Sequence, residues 1–153
     1  MTGRLAAIAM KTKPRQPMQE LTQANVSVET GVEGDFRGAS PGRQITIVFA
    51  EDWRAAVMDL APDAPWTLRR ANLLLEGIAN PQAHGCTLVI GPVMLEITGE
   101  TTPCSIMEKQ LGGLREALKL HWRGGLTARV ISAGRIAVGD PVSLAVSPRA
   151  AGE

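Results

Sequence analysis

The stretch LTARVISAGRIAVGDPVSLAV, residues 126 to 146, contains three short runs in which apolar and polar residues alternate. Alternation at period two is typical of β-strands with one buried face. The runs are separated by AGR, residues 133 to 135, and by GDP, residues 139 to 141, and both triplets carry the backbone freedom that tight turns need. The sequence therefore predicts three successive strands near the end of the chain.

Further strand patterns lie upstream of this stretch. QITIVFA, residues 44 to 50, places alternate apolar side chains on one face, which is typical of a half-buried strand, and TLVIGPVMLEIT, residues 87 to 98, predicts two strands around the turn Gly91-Pro92. Many short strands with glycine and proline turns favour a mainly β fold. We predict a compact, closed or nearly closed β-barrel.

Two short helices are predicted at the periphery of this barrel. In AEDWRAAVMDLA, residues 50 to 61, Trp53, Val57 and Leu60 share a helical stripe, and acidic residues occupy the first turn. A second apolar stripe covers residues 114 to 122 and is followed by two glycines. The fold class is thus a barrel with two or more short helices.

A chain of 153 residues can bury one sizeable core, so we predict a single domain over residues 4 to 147 with frayed termini at 1 to 3 and 148 to 153. The net charge is +1 and aromatic residues make up 3%, a composition that argues against a nucleic-acid partner. The apolar run at residues 5 to 10 is too short to span a membrane. We expect a cytoplasmic protein with no membrane partner.

The stretch ETTPCSIM, residues 100 to 107, places Cys104 after a proline at the end of a predicted strand. An exposed thiolate is both a soft ligand for a heavy transition metal and a nucleophile. The competing interpretation is a small buried side chain, which is the commoner role of an isolated cysteine. The residues alone leave both interpretations open.

Two other stretches carry residues that suit an anionic ligand. GVEGDFRG, residues 31 to 38, has three glycines around Asp35 and Arg37, and an arginine can clamp a phosphate through two parallel hydrogen bonds. In WTLRRANLLLEGI, residues 66 to 78, strand alternation places Arg70 and Asn72 on one side. An ordinary surface turn and a solvated arginine are the alternatives.

Five segments in order resemble the MOSC domain family, named after the C-terminal domain of molybdenum cofactor sulfurases. They are GVEGD at 31 to 35, RQITIVFAEDW at 43 to 53, RRANLLLEGI at 69 to 78, IGPVMLEITGETTPC at 90 to 104 and GRIAVGDPV at 134 to 142. The resemblance implies a barrel of the pyruvate-kinase type. Many small family members continue GVEGD with Arg-His, whereas this chain has Phe36-Arg37.

The resemblance also implies a cofactor site. It makes Cys104 the ligand of molybdenum in the molybdopterin cofactor, and gives Arg70 and Asn72 the task of holding the pterin. Lys11 is the best match for the basic residue that relatives use near the N-terminus. The site list is completed by Asp35 and Thr102, which would line the pocket, and by Arg37, taken from the glycine-rich stretch.

The function implied by this resemblance is the reduction of N-hydroxylated small molecules by a molybdenum-dependent oxidoreductase. The alternatives are a sulfur carrier with a persulfide on Cys104 and a cofactor-binding module without turnover. The domains that use pyridoxal phosphate or an iron–sulfur cluster in larger relatives are not evident in this sequence. We therefore expect neither cofactor within the chain, and expect a separate protein to donate electrons or sulfur.

Overall fold

The computed structural model describes residues 2–101 and 105–146. Within these residues the strands are β1 (Thr2–Met10), β2 (Gln19–Leu21), β3 (Gln23–Ser27), β4 (Gly31–Val32), β5 (Ile45–Phe49), β6 (Leu73–Glu76), β7 (Thr87–Ile90), β8 (Val93–Glu100), β9 (Leu126–Ser132), β10 (Gly134–Ala137) and β11 (Pro141–Val146). The helices are α1 (Ala50–Val57), α2 (Ser105–Gln110) and α3 (Leu114–Lys119), with 3-10 turns at Trp66–Leu68 and Leu120–Trp122.

Seven of the strands close into a barrel, as the sequence predicts. Around the ring the order is β1, β6, β5, β9, β8, β7, β11 and back to β1. The long strand β1 closes the ring because its first residues pair with β11 and its middle pairs with β6. All ring pairs are antiparallel except β5 with β6, which α1 connects as a crossover.

Thr2 and Gly3 belong to this closing strand, so the expected fraying of residues 1 to 3 is wrong for both of them. Thr2 pairs with Ser143 and Gly3 with Val142. Gly3 also approaches β6 closely, since a Cβ at this position would lie 2.4 Å from the carbonyl oxygen of Glu76. Backbone pairing with β11 orders these first residues of the strand.

The last three strands form as predicted, but the middle one leaves the barrel. β10 follows β9 after a single residue, yet it pairs with β3 in a separate sheet of three strands, β10-β3-β4. Local alternation identifies a strand without identifying its partner. This small sheet carries the loop that follows β4, and that loop reaches the candidate site.

The barrel interior is filled by alternate side chains of the ring strands. On β8 the face of Val93, Leu95 and Ile97 is buried, and on β5 Ile45, Ile47 and Phe49 are buried. Val48 on the other face of β5 is also buried, because it packs beneath the helices. The expectation of a half-buried strand is therefore wrong for β5, whose outer face is covered by the chain itself.

The helices cover one side of the barrel. Trp53 and Val57 of α1 pack with Leu114 and Leu118 of α3 in a second apolar cluster. The predicted helix at 50 to 61 ends at Val57, which leaves Leu60 beyond the helix and 38% exposed.

The predicted helix at 114 to 122 ends at Lys119. His121 and Trp122 then adopt positive φ angles of 52° and 57°, which break the α-helical geometry. The short helix α2, absent from our sequence prediction, precedes this segment. In the described part of the chain, no helix is long and apolar enough to cross a membrane.

Candidate functional site

Five of the predicted site residues meet at one end of the barrel. There β1 has just ended, β5 and β6 begin, and the loop after β4 folds over them. A constriction of about 10 Å³ at this point is lined by Lys11, Met18, Asp35, Phe36, Arg37, Arg43, Thr46, Arg70 and Asn72. Thr102 and Cys104 lie outside the described residues.

Lys11 is the most unusual residue of the group, because it is charged and only 5% exposed. Its Nζ donates to the carbonyl oxygen of Pro14 at 2.8 Å and lies 5.3 Å from the centroid of the Phe36 ring. Burial lowers the pKa of Lys11, the nearby Arg70 and Arg37 lower it further, and the Asp35 carboxylate offsets part of this shift. A bound anion would relieve both effects.

Arg70 faces the same space from the segment before β6. Its Nη2 donates to the carbonyl oxygen of Pro14 at 3.0 Å, the same oxygen that accepts from Lys11. Its Nε is buried and has no hydrogen-bond partner within residues 2–101 and 105–146. Arg69 is more deeply buried than Arg70, and its Nη2 donates to the carbonyl oxygen of Gly124 at 2.6 Å. The expectation that strand alternation sets the directions of Arg70 and Asn72 is wrong, because β6 begins only at Leu73 and both residues precede it.

Asp35 connects the loop to the end of β1. Its Oδ1 accepts from the backbone N–H of Lys11 at 3.2 Å, and its Oδ2 accepts from the N–H of Arg37 at 3.3 Å. The N–H of Phe36 donates in turn to the carbonyl oxygen of Lys11 at 2.9 Å. Asp35 therefore fixes the backbone geometry of the two cationic residues that flank it in the cleft.

Asn72 lies in the constriction, but its side chain is engaged with two strands. Its Oδ1 accepts from the N–H of Thr46 at 3.0 Å, and its Nδ2 donates to the carbonyl oxygen of Ala9 at 3.2 Å. The Asn72 backbone bonds the same two residues, at 2.8 Å to Thr46 and 2.7 Å to Ala9. Asn72 thus ties β5 to β1 where β6 begins.

Two larger cavities adjoin the constriction, one on each side. The first, the Lys11 compartment, has a volume of about 200 Å³ and is lined by Lys11, Pro14, Arg15, Gln16, Pro17, Met18, Thr67, Leu68, Arg70 and Gln110. The second, the Arg43 compartment, has a volume of about 210 Å³ and is lined by Arg37, Ser40, Arg43 and Thr46. Gln110 is the last residue of α2, so the helix that follows Cys104 in sequence borders the Lys11 compartment.

The cleft formed by these three spaces carries excess positive charge. Elsewhere Arg4, Arg54, Lys119 and Arg129 each pair with a glutamate. Lys11, Arg43 and Arg70 form no ion pair with any carboxylate that the structure describes. Cations that stay unpaired inside a shared cleft create a field that attracts anions.

A larger cavity of about 500 Å³ lies at the opposite end of the barrel, where β5 and β6 end. Glu51 and Asp52 line it, and burial raises the pKa of Asp52. Asp52 Oδ2 accepts a hydrogen bond from Asn80 at 3.0 Å. This cavity is acidic and does not suit an anionic ligand, so the smaller basic cleft is the better candidate for the predicted site.

Phe36 and Arg43 are among the residues of the basic cleft that sequence reasoning missed. Phe36 contacts both neighbouring cations, since the Arg37 guanidinium carbon lies 5.1 Å from its ring centroid. Arg43 lies two residues before β5 and lines the Arg43 compartment. A basic residue two positions before a buried strand was the available signal for Arg43, because strand ends at one barrel rim share a surface.

A known protein family and several solved structures are similar to this chain. The family model described as MOSC domain matches residues 33–143. The YuaD protein of Bacillus subtilis has a similar structure, with a TM-score of 0.77 and 16% identity over 93% of this chain and 94% of that one. YiiM of Geobacillus stearothermophilus gives a TM-score of 0.74 and 18% identity, covering 94% and 75% of the two chains. YiiM of Escherichia coli gives 0.70 and 15%, covering 94% and 70%. No curated protein sequence matches the chain significantly.

Proposed function

The chain belongs to the MOSC domain family, which is associated with molybdenum cofactor binding, and from this membership we propose that it binds molybdopterin in the basic cleft and reduces N-hydroxylated small molecules. The observation that carries the proposal is the unpaired cationic cleft around Lys11 and Arg70. Molybdopterin bears a phosphate and a dithiolate and is therefore anionic.

The residues present fit such a group. The Nε of Arg70 is a buried donor without a partner among the described residues, and a phosphate oxygen would satisfy it. Lys11 supplies a second donor, and an anion beside it would remove the cost of holding two arginines near its ammonium. In the proposed arrangement these two residues hold the phosphate, and Cys104 provides the thiolate ligand of the metal.

When bound, the cofactor supplies the two electrons of the reaction R–NHOH + 2 e⁻ + 2 H⁺ → R–NH₂ + H₂O, in which the N–O bond breaks. The chain's own residues orient the cofactor and the substrate. A separate reductase, carrying a flavin or an iron–sulfur cluster, is the proposed source of the electrons. This partner is needed because the reaction consumes two electrons in each turnover.

A reduction assay tests the proposal. Protein from a host that makes molybdopterin is supplied with dithionite-reduced methyl viologen and benzamidoxime, and the benzamidine formed is quantified. We expect turnover by the wild-type chain and none by Cys104→Ala, with Cys86→Ala as the control, since Cys86 is buried in the barrel core. Metal-loaded protein that forms no benzamidine would contradict the reductase, and a labile persulfide on Cys104 would favour sulfur transfer instead.

A further inference from the structure

The Arg43 compartment is separated from the Lys11 compartment by the constriction between them. A water molecule needs about 10 to 15 Å³, and the constriction offers about 10 Å³. In this structure a rigid, fused-ring pterin therefore has no room to reach from one compartment into the other. Each compartment is a separate binding space, and each is lined by cations.

Two consecutive turns shape the loop that forms the Arg43 compartment. The N–H of Ser40 donates to the carbonyl oxygen of Arg37 at 3.0 Å, and the N–H of Arg43 donates to that of Ser40 at 3.1 Å. These turns bring both arginines, which are exposed, to one open cavity. Arg37 is oriented further by its stacking on Phe36.

Gln44 fastens this loop to the barrel and is only 8% exposed. Its Nε2 donates to the carbonyl oxygens of Val28 and Gly38, at 2.6 and 3.3 Å, and its Oε1 accepts from the N–H of Val130 at 2.8 Å. The hydroxyl of Thr98 also bonds the carbonyl oxygen of Gly42. The compartment thus has a preformed wall, as a binding site requires.

We propose that the Arg43 compartment binds an oxyanionic group of the substrate, a carboxylate or a phosphate, and so makes the protein selective for anionic N-hydroxylated compounds. The role of this anion as substrate rests on the proposed function. The binding itself rests on Arg37 and Arg43, with the hydroxyls of Ser40 and Thr46 as further donors. The Asp35 carboxylate borders the constriction but already accepts two backbone hydrogen bonds.

Direct binding tests this inference without requiring turnover. Benzamidoxime, 4-carboxybenzamidoxime and 4-phosphonobenzamidoxime are titrated into the full chain by calorimetry, with and without loaded cofactor. We expect both anionic probes to bind at least tenfold tighter than the neutral one. The probe that binds more tightly shows whether the compartment prefers a carboxylate or a phosphate-like group. Arg43→Gln should abolish this preference, and Arg43→Lys should retain part of it. The charge-matched control Arg115→Gln changes an exposed arginine on α3 that lines none of the three spaces and should have no effect.

The outcomes separate this inference from the proposed function. Equal binding of the neutral and anionic probes would overturn the inference, even in a protein that contains molybdenum. Loss of the preference in Arg70→Gln but not in Arg43→Gln would also overturn it, because the anion would then occupy the Lys11 compartment. Copurification of a pterin dinucleotide that depends on Arg43 would assign the compartment to the cofactor. An Arg43-dependent preference in a protein that never acquires molybdenum would support anion binding and contradict the reductase.

Discussion

The ammonium of Lys11 lies in an environment that opposes its charge. The side chain is buried, two arginines are close, and no described carboxylate pairs with it. Such a residue lowers stability unless a ligand compensates for it. Phe36 offers only a partial compensation, through contact between its ring and the ammonium.

Replacing Lys11 by methionine should weaken anion binding without destabilising the chain. We expect the affinity for inorganic phosphate, measured by chemical-shift titration, to fall roughly tenfold to hundredfold because a charged donor is lost. The free energy of unfolding should be unchanged or higher, because the buried charge is gone. The control is Lys13→Met, which removes an exposed lysine two residues away. Equal losses in both variants would show that only overall charge matters.

The lowered pKa of Lys11 predicts a pH dependence. As pH rises through the lowered value, Lys11 loses its proton in the folded chain, and phosphate affinity should decline earlier than ordinary lysines would allow. Between this value and the ordinary lysine pKa the unfolded chain binds more protons, so the contribution of Lys11 to stability rises with pH. Phosphate titrations from pH 7 to 10 should show this decline in affinity in the wild type and not in Lys11→Met.

Asn72 has a structural role that distinguishes it from Arg70. Truncation to alanine would leave the N–H of Thr46 and the carbonyl oxygen of Ala9 with one fewer partner each. We expect Asn72→Ala to lower the free energy of unfolding by about 2 to 4 kcal/mol, and Arg70→Ala to change it little. Denaturant unfolding of both variants measures this. Wild-type stability in Asn72→Ala, with loss of cofactor alone, would instead assign the side chain to the ligand.

At the scale of elements, the loop after β4 decides where both arginines of the Arg43 compartment lie. Gly38 packs against the chain so closely that a Cβ would lie 1.6 Å from the carbonyl oxygen of Thr30, whereas Gly42 has open space around it. Glycine is therefore required at position 38 for close approach. At position 42 the positive φ of 70° is the only feature that favours glycine.

Alanine at these two glycines should have different consequences. Gly38→Ala forces backbone to move, and we expect loss of the anionic-probe preference together with a clear drop in melting temperature. Gly42→Ala only holds an alanine in the left-handed region, at a cost of about 1 to 2 kcal/mol, and should keep the preference. Calorimetric titration and thermal unfolding measure both effects. If the two variants behave alike, the loop geometry does not control the compartment.

Local pattern predicted β5 and β7 to β11 because alternation reflects the burial of one face, as on β8, but it did not predict β1 to β4. It could not give the partner of β10, since strand pairing depends on distant residues such as those of β3. α3 ends at Lys119 because Leu120 has an extended backbone, which the apolar stripe does not reveal. For the site, the family resemblance supplied Lys11 and Arg70, which barrel closure brings together.

Other site features were beyond sequence reasoning for physical reasons. Arg43 enters the cleft only because the loop from residue 36 to 43 turns back on itself. Asn72 matches a ligand-binding motif, but only the structure shows its carboxamide bonded to two strands. The cofactor-binding roles of all seven predicted site residues stay predictions, namely those of Lys11, Asp35, Arg37, Arg70, Asn72, Thr102 and Cys104.

At the scale of the whole molecule, the barrel separates two ends of opposite character. One end holds the two cation-lined compartments, and the cavity at the other end is lined by the carboxylates of Glu51 and Asp52. The unpaired cations favour an anionic cofactor at the first end. Membership in the MOSC domain family and the chemistry of this rim lead to the same proposal, that the protein works through bound molybdopterin.

The molybdenum and pterin content of the purified chain tests this claim most directly. Protein made in a host competent for molybdopterin is analysed by elemental mass spectrometry and by oxidative pterin fluorescence. We predict stoichiometric molybdenum and pterin in the wild type and in Arg115→Gln, loss of molybdenum in Cys104→Ala, and loss of both in Arg70→Gln. A folded wild-type chain that carries neither molybdenum nor pterin would contradict the account.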